Sequence, residues 1–311
     1  MLQPRRAAAT STVLARTLLR AITRLSRPLA ASFLAVVLSL APVAHADDDD
    51  RPPLRVTAIP DEAPTALIER FGPLAEYLAE TLGREVTFTP VTDYAAAVEA
   101  LVNDRVDLAW LGGFTHVQAR LRSAGQVEPL VQRAEDEAFR TVFVARADSG
   151  VASLADLPGA DFAFGSPSST SGHLMPRRHL SAAGIDVDTD LRVAYSGAHD
   201  ATALSVAGGR VDAGALNAAV WEALVADGRI DTDEVVVFET TPPYHDYNWS
   251  IAPGVEAATR DGIREAFLAL DPDDATDARL LALQRASRFV ATEAANYDGI
   301  EQAARDAGLL E

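Results

Sequence analysis

The sequence predicts an α/β protein of two lobes, each a mostly parallel β-sheet flanked by helices, with a ligand-binding cleft between them. Strand-like apolar runs alternate with segments of helical spacing from residue 54 to residue 252, which is typical of parallel sheets covered by helices. Polar segments follow several of these strands, where α/β proteins bind their ligands. Only helical patterns follow residue 252, so we expect the chain to cross into a second lobe, return, and end on the first.

Residues 1–46 have the composition of a cleaved secretory signal peptide. Residues 1–28 contain six Arg and no acidic residue, an apolar run extends from Leu29 to Ala44, and Ala44-His45-Ala46 matches the small-x-small cleavage pattern. A membrane anchor is the alternative, but the apolar run is shorter than the roughly 18–20 residues that a span needs. We therefore expect export to the periplasm, no membrane insertion of the mature chain, and a short tether over residues 47–53.

The composition excludes several classes of function. The chain has 311 residues, a formal charge of −18 and no Cys, and all 27 of its basic side chains are Arg. The lack of Cys excludes disulfide scaffolds, thiolate metal sites and Cys nucleophiles. Six of the 27 Arg lie in the signal segment, so the mature chain has 21 Arg against 45 acidic residues, a formal charge of −24. This acidity argues against nucleic-acid binding, which needs a basic surface. We also expect the protein to be a monomer and to bind no cofactor.

The first part of lobe 1, placed at residues 54–139, begins with three strand–helix pairs. Three runs of apolar and β-branched residues are predicted as strands: 54–59, 85–91 and 106–111. The first helix, over 64–82, has apolar residues at helical spacing and ends before Gly83, and Gly72-Pro73 predicts a kink or a break within it. The next two helices are predicted to end near Asn103 and Ser123.

Lobe 2, placed at residues 140–241, repeats the alternation. Its predicted strands are 140–146, 162–164, 191–195, 211–216 and 234–238. Helices are predicted to begin near Thr170, His199 and Ala218, each directly after a strand. Residues 242–311 are then the return crossover and the C-terminal helices of lobe 1. They contain one more strand at 248–252, followed by helices near 256–270, 275–287 and 293–307.

The strongest candidate site is the segment Gly165-Ser166-Pro167-Ser168-Ser169-Thr170-Ser171-Gly172, between an apolar strand and a helix. Its hydroxyl groups and free backbone N–H groups would lie at the positive end of the helix dipole. One hydroxyl is enough for an ordinary helix cap, whereas this segment has five. We interpret it as an oxyanion site built without Lys or Arg, which an acidic protein can accommodate.

Other candidate residues also follow predicted strands. His199, in Ser196-Gly197-Ala198-His199-Asp200, either donates to an anion or caps a helix. Asp246 and Tyr247 belong to the polar and aromatic segment 242–249, which is either a rigid hinge turn or part of the site. Tyr94, Phe114 and His116 also follow strands, and their spacing does not distinguish a cleft wall from core packing.

The order of these segments resembles the phosphate, phosphite and phosphonate substrate-binding proteins of ABC importers, which have the type II periplasmic binding fold. The matching stretches are Pro90–Tyr94, Val106–Gly113, Ser168–Gly172, Ser196–Ala201, Gly209–Ala213 and Asn296–Ile300. The resemblance covers nearly all of the chain from residue 54. It implies that the lobes close by hinge motion on a small oxyanion, which is delivered to a membrane permease with its ATPase.

The resemblance also implies roles for individual residues. The oxyanion is gripped by the hydroxyl residues of the helix start and by one tyrosine: Ser169, Thr170, Ser171 and Tyr94. His199 occupies the place of the family histidine, and Asp246 accepts a proton from a protonated oxyanion oxygen. Two features depart from the common pattern. His116 replaces a tyrosine after the third strand, and the acidic loop 59–64 is closer to a subgroup of selenate-type oxyanion binders.

Two other functions stay open at this point. The same fold serves as a sensor that presents its ligand state to a membrane kinase. An exported hydrolase would use Ser169, His199 and Asp246 as a triad, but the Gly-x-Ser-x-Gly elbow is absent, so we expect no enzyme. The segment 186–190 has the first spacing of a calcium loop but lacks its Gly and late Glu, so we expect no metal site.

Overall fold

The computed structural model describes residues 51–310. The expectations for the signal peptide, 1–46, and for residues 47–50 of the tether lie outside the described residues. Within the described part, no helix is both long and apolar enough to cross a bilayer. No cluster of three metal-binding side chains forms among the same residues.

Eleven strands form in this part of the chain. They are β1 Leu54–Ala58, β2 Val86–Phe88, β3 Leu108–Leu111, β4 Glu128–Arg133, β5 Thr141–Arg146, β6 Asp161–Phe164, β7 Arg192–Tyr195, β8 Ala213–Asn217, β9 Val235–Thr240, β10 Asn248–Ile251 and β11 Phe289–Ala291. The helices are α1 Pro64–Leu82, α2 Tyr94–Val102, α3 Gly113–Arg122, α4 Met175–Ala182, α5 Val187–Asp190, α6 His199–Ala207, α7 Ala218–Ala226, α8 Ala257–Leu268, α9 Ala275–Leu283 and α10 Asp298–Asp306.

The strands fall into two sheets, which define the two lobes. Lobe 1 has the strand order β11-β4-β10-β3-β1-β2, and lobe 2 has the order β7-β6-β8-β5-β9. Strands β1 to β4 share one direction in lobe 1, and β6 to β9 share one direction in lobe 2. The strands that follow each chain crossing, β5 and β10, run against their neighbours, as does the edge strand β11. Most strands of each sheet therefore point in the same direction, as predicted, but β10 and β5 lie inside the sheets, so five of the nine strand pairs in the described residues are antiparallel.

The core of lobe 1 explains why α1 continues through Pro73. Proline inside a helix removes one backbone hydrogen bond and costs roughly 3 kcal/mol. Leu67, Phe71, Leu74 and Leu78 lie on one face of α1 and are fully buried in the lobe 1 core. Because burying each such side chain contributes about 1.5–3 kcal/mol, packing outweighs the cost, and the predicted break does not occur.

Lobe 2 has a hydrophobic layer on each face of its sheet. Strand β5 shows the alternation: Phe143 and Ala145 pack into one layer, whereas Val142 and Val144 pack into the other. A period of two along a strand sends successive side chains to opposite faces. Both faces are covered by helices, which leaves the ends of the strands as the edge facing the cleft.

Two strands were not expected from the sequence. Strand β4 contains Pro129 and only two consecutive large apolar residues, and β11 is a three-residue edge strand after α9. The expectation that only helices follow residue 252 is therefore wrong, because β11 pairs antiparallel with β4. The last predicted helix begins as a 3₁₀ turn over Ala294–Tyr297 and continues as α10.

The chain passes between the sheets twice, and the two crossing segments pair with each other. The Phe139 N–H donates to the Tyr244 carbonyl at 2.8 Å, and the Tyr244 N–H donates to the Phe139 carbonyl at 3.0 Å. The hydroxyl oxygens of Thr141 and Tyr244 are 2.6 Å apart. This paired connection holds the two lobes at one side of the cleft, while the ends of the strands face each other across it.

Candidate functional site

Several hydrogen bonds join the lobes directly across the cleft, among them the following three. The Phe114 N–H of lobe 1 donates to Thr170 Oγ1 of lobe 2 at 3.0 Å. The His199 N–H of lobe 2 donates to the Asp61 carbonyl of lobe 1 at 2.9 Å. Asn217 Nδ2 of lobe 2 donates to the Tyr247 hydroxyl at 3.0 Å. The helix starts of both lobes therefore meet in a closed cleft.

The Ser-Thr-Ser segment forms an unusually wide first helical turn. Ser169 caps it, because its Oγ accepts from the Gly172 N–H at 3.0 Å and its carbonyl accepts from the Leu174 N–H at 3.0 Å. Thr170 and Ser171 follow and are buried, and the Ser171 hydroxyl has no hydrogen-bond partner among the described residues. The first N–H groups of a helix lack intrahelical acceptors. This turn therefore presents backbone and hydroxyl donors to the cleft.

Tyr94 brings a second unpaired hydroxyl to the same place. It is the first residue of α2, whose N-cap Asp93 accepts from the Ala96 N–H at 2.8 Å. The Tyr94 hydroxyl is buried without a partner in the described chain. Burial raises its pKa well above the usual value, and the nearby carboxyls of Asp61 and Asp246 add to the rise. Tyr94 therefore remains a neutral donor close to both carboxyls.

Asp246 is held by one oxygen and presents the other. Its Oδ1 accepts from the Gly113 N–H at 2.9 Å at the start of α3, whereas its Oδ2 is buried without a partner among residues 51–310. Burial raises the pKa of Asp246 to about 7, although the Gly113 N–H and the Thr170 side chain oppose the shift. This carboxyl is therefore poised to share a proton with whatever contacts Oδ2 near neutral pH.

His199 and Tyr247 contact each other across the cleft. The Tyr247 hydroxyl lies 3.3 Å from His199 Nε2, and His199 Nδ1 accepts from the Asn217 backbone N–H at 3.3 Å. Burial lowers the pKa of His199 to about 4, so the imidazole is neutral at pH 7. The Tyr247 ring stacks on Trp110 with the centroids 5.2 Å apart and the planes at 11°.

Two glycines allow the side chains of Thr170, Asp246 and His199 to approach the backbone of the cleft closely. A Cβ atom at Gly112 would lie 3.0 Å from Thr170 Oγ1 and 3.3 Å from Asp246 Oδ1. A Cβ atom at Gly172 would lie 2.9 Å from His199 Cε1. Both positions thus lack room for a side chain, and Gly112 is the point where lobe 1 meets the hydroxyl turn of lobe 2.

A buried network of charged residues, which sequence reasoning missed, supports the lobe 1 side. Arg133 donates from Nε and Nη2 to the two carboxyl oxygens of Asp136 at 2.8 and 2.6 Å. Its guanidinium also lies over the Trp110 and Tyr247 rings, 5.1 and 5.3 Å from their centroids. A planar guanidinium suits both the bidentate pair and the ring stacking. Arg133 therefore fixes the aromatic wall that carries Tyr247.

The first loop of lobe 1 is tied to the same network. Arg285 binds both carboxyl oxygens of Glu62 at 2.7 Å each, and Arg70 Nη1 lies 3.4 Å from Glu62 Oε1. Burial acts to raise the pKa of Glu62, but Arg285 outweighs it and the pKa is lowered. Asp61 lies 3.9 Å from Arg70, both of its carboxyl oxygens lack hydrogen-bond partners within residues 51–310, and burial raises its pKa to about 6. The arginines thus hold an acidic loop at the cleft.

Phe114 and His116 occupy different places from the hydroxyl groups. The Phe114 ring is buried in the lobe 1 core, and only its backbone N–H reaches the cleft. His116 is fully buried, with Nδ1 2.9 Å from Ser250 Oγ and its ring 4.9 Å from the Tyr297 ring. Burial lowers the pKa of His116 to about 3. These contacts are internal to lobe 1, but His116 Nε2 is buried without a partner among the described residues, so the role of His116 in ligand choice stays a prediction.

The side chains of the imagined hydrolase triad have other partners. The Ser169 hydroxyl accepts from the Gly172 N–H, and the His199 ring nitrogens face Asn217 and Tyr247. A nucleophilic serine needs its base within hydrogen-bond reach. In the described structure, Ser169 and His199 are not bonded to each other, so the geometry gives the triad no support.

Comparisons with known proteins identify the family of this chain. Residues 56–297 match the family model described as ABC transporter, phosphonate, periplasmic substrate-binding protein. A probable ABC transporter phosphite-binding protein, PhnD1, of Prochlorococcus marinus is 34% identical over 264 residues, which cover 81% of this chain and 89% of the relative. The phosphonates-binding periplasmic protein of Escherichia coli is 26% identical over 232 residues, covering 72% of this chain and 68% of the relative.

A solved structure of the same Prochlorococcus protein, in complex with methylphosphonate, has a similar fold. The TM-score is 0.79, with 34% sequence identity, and the match covers 83% of this chain and 98% of the solved chain. The family match spans both lobes and the residues of the cleft. The chain belongs to the family of periplasmic substrate-binding proteins of phosphonate ABC transporters.

Proposed function

We propose that this protein captures a small phosphonate or phosphite as a singly protonated anion and delivers it to an ABC permease. The binding site is the closed cleft, where Tyr94, Thr170 and Ser171 donate to the anion and Asp246 accepts its proton. The methylphosphonate held by the structural relative supports this ligand class.

One observation carries the proposal: the unpaired Oδ2 of the buried Asp246 beside unpaired hydroxyls. The Asp246 carboxyl is near enough to Tyr94 to raise the pKa of its hydroxyl, and Ser171 follows Thr170, whose side chain faces Asp246 at Gly112. A buried polar atom without a partner costs about 1–3 kcal/mol, so these three atoms indicate a ligand that pairs with them. Tyr94 and Ser171 offer hydroxyl donors, whereas an ionised Asp246 only accepts. The matching ligand therefore has both oxygen acceptors and one acidic O–H.

This requirement separates the candidate oxyanions. Phosphoryl groups keep one acidic proton up to near neutral pH, because their second ionisation lies in that range. Sulfate and selenate are fully ionised dianions and would place an oxygen lone pair against the ionised form of Asp246, so they pair only with its protonated form, which is about half of the population at pH 7 because the pKa of Asp246 is about 7. We therefore expect the site to favour phosphonate and phosphite over selenate, in spite of the acidic first loop that resembles selenate-type binders.

The proposal also includes the cellular location of the protein and its partner in the membrane. The family is periplasmic, and the signal-like composition of residues 1–46 supports export with cleavage of that segment. A permease with its ATPase is the partner that an ABC transporter binding protein serves. We expect the mature protein to be a monomer that presents its two lobes to this permease.

Calorimetric titration of the purified mature protein tests the proposal. The panel contains methylphosphonate, phosphite, phosphate, sulfate, selenate and selenite, each at pH 7. The proposal predicts saturable 1:1 binding of methylphosphonate or phosphite, at least tenfold tighter than sulfate or selenate. Tighter binding of selenate than of every phosphorus anion would overturn the ligand class, and no binding across the panel would overturn the function.

A further inference from the structure

Asn217 lies outside the predicted ligand contacts but connects three parts of the site. It ends β8, is buried, and caps α7, because its Oδ1 accepts from the Val220 N–H at 3.0 Å. Its Nδ2 donates to the Tyr247 hydroxyl at 3.0 Å, and its backbone N–H donates to His199 Nδ1 at 3.3 Å. The Asn217 side chain therefore makes one contact, with the Tyr247 hydroxyl, that capping of α7 does not require.

The contact with the Asn217 backbone determines where His199 carries its proton. Because Nδ1 accepts an N–H, it has no hydrogen of its own, and a neutral imidazole must then carry its hydrogen on Nε2. Nε2 lies 3.3 Å from the Tyr247 hydroxyl, so His199 donates to that oxygen. A proton on Nδ1 would face the Asn217 N–H, so the other tautomer and the charged form are both disfavoured.

The Tyr247 hydroxyl thus receives two hydrogen bonds. Its oxygen accepts from Asn217 Nδ2 and from His199 Nε2, which leaves its own O–H to donate elsewhere. Among residues 51–310, no acceptor takes this hydrogen. The stacking on Trp110 fixes the ring, and burial together with the carboxyl of Asp61 raises the pKa of Tyr247 well above its usual value, so the hydroxyl stays protonated.

We propose that Asn217 is a positioning residue that directs the O–H of Tyr247 onto the bound oxyanion. This inference rests on the proposed function and assigns a further donor to the same site. Asn217 and His199 belong to lobe 2, whereas Tyr247 stacks within lobe 1. The arrangement is complete only in the closed cleft, so it favours closure on an anion.

The competing explanation is that Asn217 serves only as a helix cap. Serine also caps helices well, so Asn217→Ser keeps the cap of α7 and removes the amide that holds Tyr247. The backbone N–H to His199 is retained in this variant. Asp274, the exposed N-cap of α9, offers a matched control, because Asp274→Ser changes a cap of similar geometry away from the cleft.

The test is a double-mutant cycle for methylphosphonate affinity, measured by calorimetry. A neutral hydrogen bond contributes about 0.5–1.5 kcal/mol, so we expect Asn217→Ser to weaken binding roughly two- to tenfold, and Asp274→Ser to leave it within twofold. Tyr247→Phe removes the donor to the anion and is expected to weaken binding roughly tenfold or more. In the Tyr247→Phe background, Asn217→Ser should have no further effect, because the hydroxyl that it orients is gone.

A second measurement uses the wild-type protein alone, so it does not depend on whether the variants fold correctly. The ¹⁵N resonances of the His199 ring in the wild-type protein should report the tautomer protonated on Nε2. The opposite tautomer, or equal effects of Asn217→Ser with and without Tyr247, would overturn the positioning role. Failure of the wild-type protein to bind methylphosphonate would instead overturn the proposed function and this role together.

Discussion

Gly112→Ala tests the closed cleft without removing any polar group. Gly112 has an ordinary backbone conformation with φ −76°, so alanine causes no backbone strain at this position. Its Cβ, however, would lie 3.0 Å from Thr170 Oγ1, an atom of the opposite lobe. That oxygen accepts from the Phe114 N–H when the lobes are closed. The new methyl group therefore acts mainly on closure.

The size of the effect follows from this contact. Overpacking of a well-packed site costs about 1–3 kcal/mol, and a tenfold change in affinity corresponds to about 1.4 kcal/mol. We therefore expect Gly112→Ala to weaken methylphosphonate binding by roughly five- to 150-fold in a calorimetric titration. The thermal unfolding temperature of the ligand-free protein should change less than the affinity does, because the shortest contact, with Thr170 Oγ1, arises only when lobe 2 approaches, whereas the contact with Asp246 Oδ1 within lobe 1 is looser at 3.3 Å.

A matched control comes from a glycine away from the cleft. Gly72 lies within α1, and a Cβ atom there meets no atom within 4 Å. Gly72→Ala should keep wild-type affinity and raise stability by up to about 1 kcal/mol, because alanine favours helices. Methylphosphonate affinity of Gly112→Ala within twofold of wild type would refute the closed geometry on which the site is built.

Three further changes test other parts of the account. Asp246→Asn replaces a carboxylate oxygen, which accepts a hydrogen bond, with an amide that donates one. The ratio of methylphosphonate to selenate affinity, measured by calorimetry at pH 7, should therefore fall roughly tenfold or more. An unchanged ratio would show that Asp246 does not select protonated ligands. Arg133→Met leaves a buried carboxylate unpaired, and urea denaturation should show a loss of about 3–5 kcal/mol, whereas a loss below 1 kcal/mol would mean that the pair is dispensable. His199 has a folded pKa of about 4, below its ordinary 6.5, so the unfolded chain takes up the proton first as pH falls. Wild-type stability should therefore drop, relative to His199→Gln, by up to about 3 kcal/mol between pH 7 and pH 4, and parallel stability profiles would contradict this.

The fold was predictable because its main elements have strong local signals. The apolar stripe of α1 and the continuous apolar run of β5 are visible in the sequence, and the structure confirms a helix and a strand at these places. Strands β4 and β11 lack such a signal, since β4 has only two consecutive large apolar residues, β11 has three residues, and both are completed by pairing with strands far along the chain. Packing also decided that α1 continues through Pro73, which local propensity alone does not predict.

The candidate site was predictable where it follows strand ends, and was missed where it depends on distant partners. Thr170 and Asp246 stand in segments that follow a strand or a crossing, and both lie beside Gly112. Arg133 and Arg70 are buried charges whose partners depend on the tertiary fold. Arg70 did carry a signal, because it lies three residues after Leu67 on the apolar face of α1. Asn217 looks like an ordinary cap, and nothing local indicates its contact with the opposite lobe.

The central claim is that the unpaired buried atoms of the cleft are the ligand contacts. A crystal structure of this protein with methylphosphonate tests it most directly. We expect one phosphonate between the lobes, with its oxygens within hydrogen-bond distance of the Tyr94 hydroxyl, Ser171 Oγ and Asp246 Oδ2. A phosphonate bound elsewhere, or a closed cleft in which these three atoms pair with protein groups instead, would contradict it.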